Sequence, residues 1–261
     1  MSEDLLFEIS DGIALVTLNR PERRNALTFA MYDRLHEIAV DIKARIDKGD
    51  REIKALVITG QGDKAFAAGT DMAGFRDFST EEHALGYERQ MDRVLGAYEM
   101  IPVPTIAAIR GACTGGGAAI AVASDMRYAD NQLKFGFPMA RTLGNCLSIT
   151  NLSRLVSLMG QAKTREILLT ARLIEAEEAL ATGVINDLVD DPLQQALTMA
   201  DKLKDHSPLL IEASKEGLRR IREKLADVND DDLVIKCYTS DDFQEGIEAF
   251  LDKRKPQWKG S

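Results

Sequence analysis

Two short apolar-rich runs, Leu5 to Ser10 and Ile13 to Leu18, flank Asp11-Gly12. That pattern around an Asp-Gly pair predicts a β-hairpin. From Thr28 to Lys48 the period becomes helical, with Thr28 placed as N-cap and Gly49 as the stop. Apolar runs from Lys54 to Thr59, Thr105 to Ile109, Asp125 to Tyr128 and Leu133 to Phe135 predict further strands; Pro102 and Pro104 precede one of them. Beyond Asn145 the pattern is helical over Ser148 to Leu158, Gln161 to Thr170, Glu175 to Ala181, Pro192 to His206, Pro208 to Leu225 and Asp231 to Leu251. Strands and helices in alternation, followed by helices alone, make this an α/β chain. An approximate division near Leu193 gives a core of residues 1–192 and a C-terminal helical subdomain of residues 193–261. No long linker isolates the second part, which is expected to pack on the first.

Two segments interrupt this pattern with glycine. Gly111 to Ala123, GACTGGGAAIAVA, runs from Gly115, Gly116 and Gly117 straight into a small-residue helix. The first amides of a helix lack internal acceptors and lie at its positive dipole end, so such a start can hold an anion. Glycines before an alanine-rich helix also serve tight packing, and a partner segment is what raises the binding reading. Phe66 to Phe75, FAAGTDMAGF, supplies one: it follows the apolar run KALVITG and the turn Gln61 to Lys64. An amide near Gly69 and Thr70 could meet the first at a single carbonyl oxygen, giving two donors where negative charge develops.

These two corners, together with LNRPERRNAL (Leu18 to Leu27), SDMRYAD (Ser124 to Asp130) and EGIEAFLDKRKPQW (Glu245 to Trp258), resemble the crotonase superfamily, the enoyl-CoA hydratase/isomerase group, in that family's order and over nearly the whole chain. The resemblance implies a spiral of strand-strand-helix units with a C-terminal helical trimerisation region, and an enzyme, lyase or isomerase, acting on acyl-CoA thioesters. It implies that the amides of Thr70 and Gly116 form an oxyanion hole. It puts CoA contacts on the turn from Arg23 and Arg24 to Ala26, on Ala68, and on Thr70, Asp71, Met72 and Ala73. Phe250 and Lys253 match positions that approach CoA, often from a neighbouring subunit. Coenzyme A enters as part of the substrate, with no separately bound cofactor, and the assembly is a homotrimer or a hexamer of two trimers. Without the resemblance Arg23 and Arg24 read as a solvated turn after Pro21, and Lys253 as surface charge.

The chain departs from the family where hydratases carry two glutamates: Ala119 and Met139 stand at those positions. Neither side chain moves a proton, and a positioned acid or base contributes roughly a hundredfold to ten-thousandfold. An oxyanion hole over an apolar floor still suits decarboxylation of a malonyl-type thioester, in which the breaking carbon–carbon bond supplies the electrons. Arg141 would orient that carboxylate, or else pair with a structural acid or lie exposed on a loop. Double-bond isomerisation needs a base from elsewhere. Asp71 reads better as a turn or helix cap; Asn145 and Thr142 could position water, and Cys146 could be a nucleophile or a small hydrophobe. His83, Tyr87 and Glu88 lie on the helix after the first corner, with two of the three expected to face solvent. Phe75, Leu143 and Leu147 are pocket lining or ordinary core. Acyl-CoA hydrolysis, and a thioester-binding protein without efficient turnover, stay open beside these reactions.

Composition narrows the partners. The formal charge of −9 over 261 residues argues against nucleic acid, and Tyr32 to Arg51 mixes charges with no basic face. No stretch reads as a membrane span, and MSEDLLFEIS lacks the features of a signal peptide, so a cytoplasmic protein is expected. Cys113, Cys146 and Cys237 are odd in number and lack metal-ligand spacing; His36, His83 and His206 are scattered. Neither a disulfide framework nor a metal site is expected.

Overall fold

In the computed structural model, which describes residues 4–75, 78 and 80–261, Asp11 and Gly12 both take positive φ, 48° and 77°. They join β1 (Leu5–Ser10) to β2 (Ile13–Leu18) as an antiparallel hairpin pairing Ser10 with Ile13. The remaining strands are β3 (Ala55–Gly60), β4 (Ala65–Ala67), β5 (Thr105–Ile109), β6 (Ala112–Thr114), β7 (Met126–Ala129), β8 (Lys134–Gly136), β9 (Ile174–Glu175) and β10 (Asp187–Leu188). Among the described residues they form two sheets, ordered β1-β2-β3-β5-β7-β10 and β4-β6-β8-β9. From β3 to β8, consecutive strands therefore fall in different sheets: β3, β5 and β7 in the larger, and β4, β6 and β8 in the smaller. At one of these crossings a Cβ on Gly111, whose φ is 65°, would stand 2.4 Å from the Lys64 carbonyl oxygen, so only glycine lets the chain turn there.

The first helices are α1 (Phe29–Asp47), α2 (Glu81–Glu99), α3 (Gly116–Ala123), α4 (Met139–Thr142), α5 (Ile149–Thr170) and α6 (Ala176–Ala181). They are followed by α7 (Pro192–Leu203), α8 (Pro208–Leu225), α9 (Asp231–Tyr238) and α10 (Asp241–Leu251). Thr28 caps α1 by accepting from the Met31 amide, and Thr80 caps α2 from His83. The large sheet is covered on both faces: Ala55 and Val57 of β3 pack with Ala196 and Ala200 of α7, whereas Leu56 and Ile58 face the core shared with α1, α2 and α3. Such a strand reads as a continuous apolar run, as this one does. This is the α/β, crotonase-like architecture expected.

One break lies where the sequence pattern puts it: Gly160 takes φ 74° and ψ 160°, so α5 is two helical segments joined across a kink, as expected on either side of that glycine. Two features differ from the pattern. The single helix expected over Asp231 to Leu251 is two, because Ser240 accepts from the Phe243 amide and starts α10 afresh. The three-residue strands β4, at the start of the first glycine motif, and β6, inside the second, are too short to show a period. Among the described residues no helix is long and apolar enough to cross a membrane.

Candidate active site

Asn25 anchors the first corner. It is buried at φ 53°, and its side-chain amide donates to the carbonyls of Gln61 and Ala65 at 3.0 and 2.8 Å while its oxygen accepts from the Arg20 amide. This clamps the 20–27 turn against the start of β4, and the Ala68 amide donates to Arg24 O. Leu27 and Thr70 then form an isolated parallel bridge in which Leu27 N donates to Gly69 O and Asp71 N to Leu27 O, both at 2.8 Å. In a parallel bridge these flanking groups make the bonds, so the Thr70 N–H points to the opposite side. Asp71 is tied into the same corner: it accepts from Ala73 N at 3.1 Å and from Arg20 at 3.0 Å. Burial opposes ionisation there, but these two donors hold its carboxyl below the ordinary range, so it remains an ionised cap.

The second corner follows β6. Gly115, at φ 53° and ψ −120°, donates to Gly136 O, and Gly116 opens α3. As the first residue of the helix Gly116 has no intrahelical acceptor for its N–H. The two corners touch: a Cβ on Gly115 would lie 3.5 Å from Gly69 Cα, and one on Gly116 would lie 3.0 Å from Thr70 Oγ1 and 1.9 Å from the Tyr32 hydroxyl. Both corners open on a cavity of about 140 Å³.

Of the residues singled out in the sequence, Ala68, Thr70, Met72, Gly116, Ala119, Met139, Thr142, Asn145, Cys146 and Phe250 line this cavity, as do Phe75, Leu143 and Leu147. Arg23, Arg24, Ala73 and Lys253 are exposed outside it, with Ala26 half-buried nearby in the same turn. Arg141 is exposed and outside the lining, so of its readings the exposed arginine is the one found, and the placement against a substrate carboxylate is not. Its helix, α4, turns the side chain to the surface while Met139 is buried. Phe250 reaches the cavity of its own chain, because α10 packs on α4 and the Met72–Phe75 turn. Cys146 is no thiolate: a hydrogen bond with Cys237 and burial push its thiol up, while the same bond brings Cys237 down to about 7.

The helix α2 corrects a second expectation. Of His83, Tyr87 and Glu88, only His83 is exposed; Tyr87 and Glu88 both line the cavity, because α9 packs over this part of α2. Tyr32 Oη lies 2.9 Å from Thr70 Oγ1, which lies 3.1 Å from Tyr87 Oη. Three hydroxyls carry three protons and two contacts use two of them, so the row keeps one to donate. Burial pushes both phenols up, so both are neutral at neutral pH. Glu88 is 6% exposed; its Oε1 accepts from Tyr238 and its Oε2 from the Ser148 amide at 3.2 Å. Burial first, then Asp92 and Asp230, push its carboxyl up to about 7 against the pull of those two hydrogen bonds. Asn145 donates to Tyr238 at 2.9 Å, and its buried Oδ1 has no partner among the described residues.

The chain is similar to known proteins over nearly its whole length. The family model described as Enoyl-CoA hydratase/isomerase matches residues 8–261. Crotonyl-CoA hydratase of Syntrophomonas wolfei is 32% identical over 259 residues, covering 97% of this chain and 96% of that protein. Among solved structures, an enoyl-CoA hydratase/carnithine racemase from Magnetospirillum magneticum superposes with a TM-score of 0.79 at 31% identity, covering 100% and 97% of the two chains. Methylmalonyl-CoA decarboxylase in complex with 2-nitronate-propionyl-CoA superposes with a TM-score of 0.87 at 26% identity and full coverage of both. With its spiral of split strand pairs and two glycine corners meeting at one cavity, this chain belongs to the enoyl-CoA hydratase/isomerase family.

Proposed function

We propose that this protein is an acyl-CoA-processing enzyme in which the Thr70 and Gly116 amides hold the thioester carbonyl oxygen and stabilise the enolate formed from it. The observation that carries this reading is the meeting of the two corners, with an N–H turned away from its bridge partner on one and a helix-start N–H on the other. Each such donor is worth roughly a hundredfold to a thousandfold in rate. The CoA moiety runs along Arg23, Arg24 and Ala26, past Ala68, Asp71, Met72 and Ala73, with Phe250 and Lys253 on the C-terminal side. Ala119 and Met139 form an apolar part of the acyl floor and leave ordinary hydration without its usual proton donors. The exposed leucines Leu209, Leu210 and Leu218 and Ile221 on α8 support assembly into a homotrimer or a pair of trimers, in the cytoplasm.

A second reading, decarboxylation of a malonyl-type thioester or hydrolysis of an acyl-CoA, draws on the same hole and on the likeness to methylmalonyl-CoA decarboxylase. Incubation with enoyl-, malonyl-type and 3-hydroxyacyl-CoA thioesters, followed by mass, separates these readings. Thioester turnover without fast hydration of crotonyl-CoA is expected. Fast hydration would refute the argument from Ala119 and Met139, loss of carbon dioxide or free CoA would favour the second reading, and saturable binding with no product would make this a binding protein.

A further inference from the structure

Among the described residues lining the cavity, Glu88 is the one carboxyl group, and no lysine or arginine joins it. It occupies an apolar-face position of α2, where Ala84, Met91 and Leu95 are its buried neighbours at helical spacing. A carboxylic acid buried at such a position needs a reason, since an apolar residue would pack there at lower cost. Part of the reason is local: Oε2 accepts from the Ser148 amide at the start of α5. That bond fixes the carboxyl without exhausting it. A carboxylate has about four acceptor sites and two are engaged here, so one on each oxygen remains. Tyr238, held in turn by Asn145, fixes the other oxygen and leaves the rotamer little freedom.

Building on the proposed oxyanion hole, we infer that Glu88 is the proton-transferring catalytic residue of this site, standing in for the glutamates absent at Ala119 and Met139, and that the acyl group it serves is uncharged with an allylic C–H. The step balances without a co-reactant. Ionised Glu88 takes the α-proton of a 3-enoyl thioester; as that C–H bond breaks, its electron pair moves into the carbonyl held by Thr70 and Gly116. The proton, now on Glu88, returns to the γ-carbon at the far end of the dienolate, giving the 2-enoyl isomer and restoring the carboxylate. A second carboxylate in the substrate would meet Glu88 with no cation in the lining, which selects against malonyl-type groups.

The surroundings suit a group that must both take and give a proton. Asp92 from α2, Asp230 before α9, the phenols of Tyr32, Tyr87 and Tyr238 and the Cys146 thiol all face it, while Arg154 of α5 is drawn to Glu99 at 2.7 Å and to Asp92 at 3.9 Å. Its carboxyl, raised to about 7, is partly ionised near neutrality.

The test uses 3-hexenoyl-CoA in deuterated buffer with the full-length wild-type protein and the Glu88→Gln and Glu88→Asp variants, reading deuterium uptake by mass and formation of the 2-enoyl product by absorbance. Glu88→Gln is expected to lower kcat about a hundredfold or more, to change KM by less than about threefold, and to abolish the rise of kcat with pH near 7, with Glu88→Asp intermediate. Wild-type exchange matched by Glu88→Gln would overturn the assignment of Glu88 and leave the oxyanion hole standing. No exchange by the wild type on a thioester that it binds would overturn both. Should the Gln variant fail to fold, Tyr238→Phe removes a bond that holds the Glu88 carboxyl down and is expected to move the pH limb upward; an unmoved limb counts against Glu88.

Discussion

Eight residues of α3 separate a helix end that the protein has closed from one that it has left open. At the C-terminal end Arg127, only 5% exposed, donates to the carbonyls of Ala121 and Ser124 through Nη1 and to Val184 O at 2.7 Å through Nε. Ser124 adds its hydroxyl to the Ile120 carbonyl at 3.1 Å. Burial pulls the Arg127 guanidinium down to about 10, still well above neutrality, so a cation sits against the negative end of the dipole. At the N-terminal end Gly115 offers no side-chain cap, and the Gly116 amide meets the cavity beside Thr70. Orphan groups of one helix are thus satisfied from within at one end and, on the proposed function, left for a ligand at the other. The difference separates what the fold needs from what a reaction needs.

The largest effect is expected where the open end is blocked. Gly116→Pro removes the amide proton, but its Cβ would also strike the Tyr32 hydroxyl, 1.9 Å away, so the single variant confounds two causes. The pair Tyr32→Phe/Gly116→Ala and Tyr32→Phe/Gly116→Pro has no such hydroxyl and differs chiefly in the amide. With φ compatible with proline at a helix start, the second is expected to fold yet turn over thioesters roughly a hundredfold to a thousandfold more slowly than the first. Equal kcat in the two would break the comparison, because the open end would then serve no oxyanion.

At the closed end the expected loss is in stability. Arg127→Met keeps the bulk but orphans the carbonyls of Ser124 and Val184 and leaves that of Ala121 only the Ser124 amide, and should cost about 3–5 kcal/mol in denaturant unfolding. Arg127→Lys retains charge and should recover part of this. A loss under about 1 kcal/mol would mean that the carbonyls find other donors and that Arg127 is not what closes the helix.

How far the sequence carries this contrast depends on range. The corners are legible because strand, glycine and helix start are neighbours in the chain, and Asp11-Gly12 and Thr28 act within a few residues. Glu88 is not, because its burial is made by α9, and Tyr238 lies 150 residues away. A local signal did exist: Glu88 stands four residues after Ala84 and three before Met91, on the apolar stripe of α2, where an acid is out of place. The charged residues around it, Glu81, Glu82, Arg89 and Arg93, mask that stripe in a simple count. Tyr32 is hidden in the same way among the polar residues of α1. The split between α9 and α10 was readable from Ser240 before Asp241 and Asp242, an N-cap followed by acids in the first turn.

The smallest expected effect concerns whether the buried charge on the cavity side is as well matched as Arg127. Glu88 has an ordinary value of 4.5 and about 7 when folded. Below 4.5 it is neutral in both states. Between 4.5 and 7 the unfolded chain releases its proton first, so the folded state binds more protons and stability falls as pH rises, the loss being complete above about 7. The Glu88→Gln variant lacks this titration, so the stability of the wild type relative to it should fall by on the order of 3 kcal/mol from pH 4.5 to 8, read from urea midpoints in matched buffers. Changed hydrogen bonding to Ser148 and Tyr238 offsets the whole curve but leaves its slope. A flat difference would mean that the carboxylate is held as comfortably as the guanidinium, and that the fold, rather than a reaction, accounts for both buried charges.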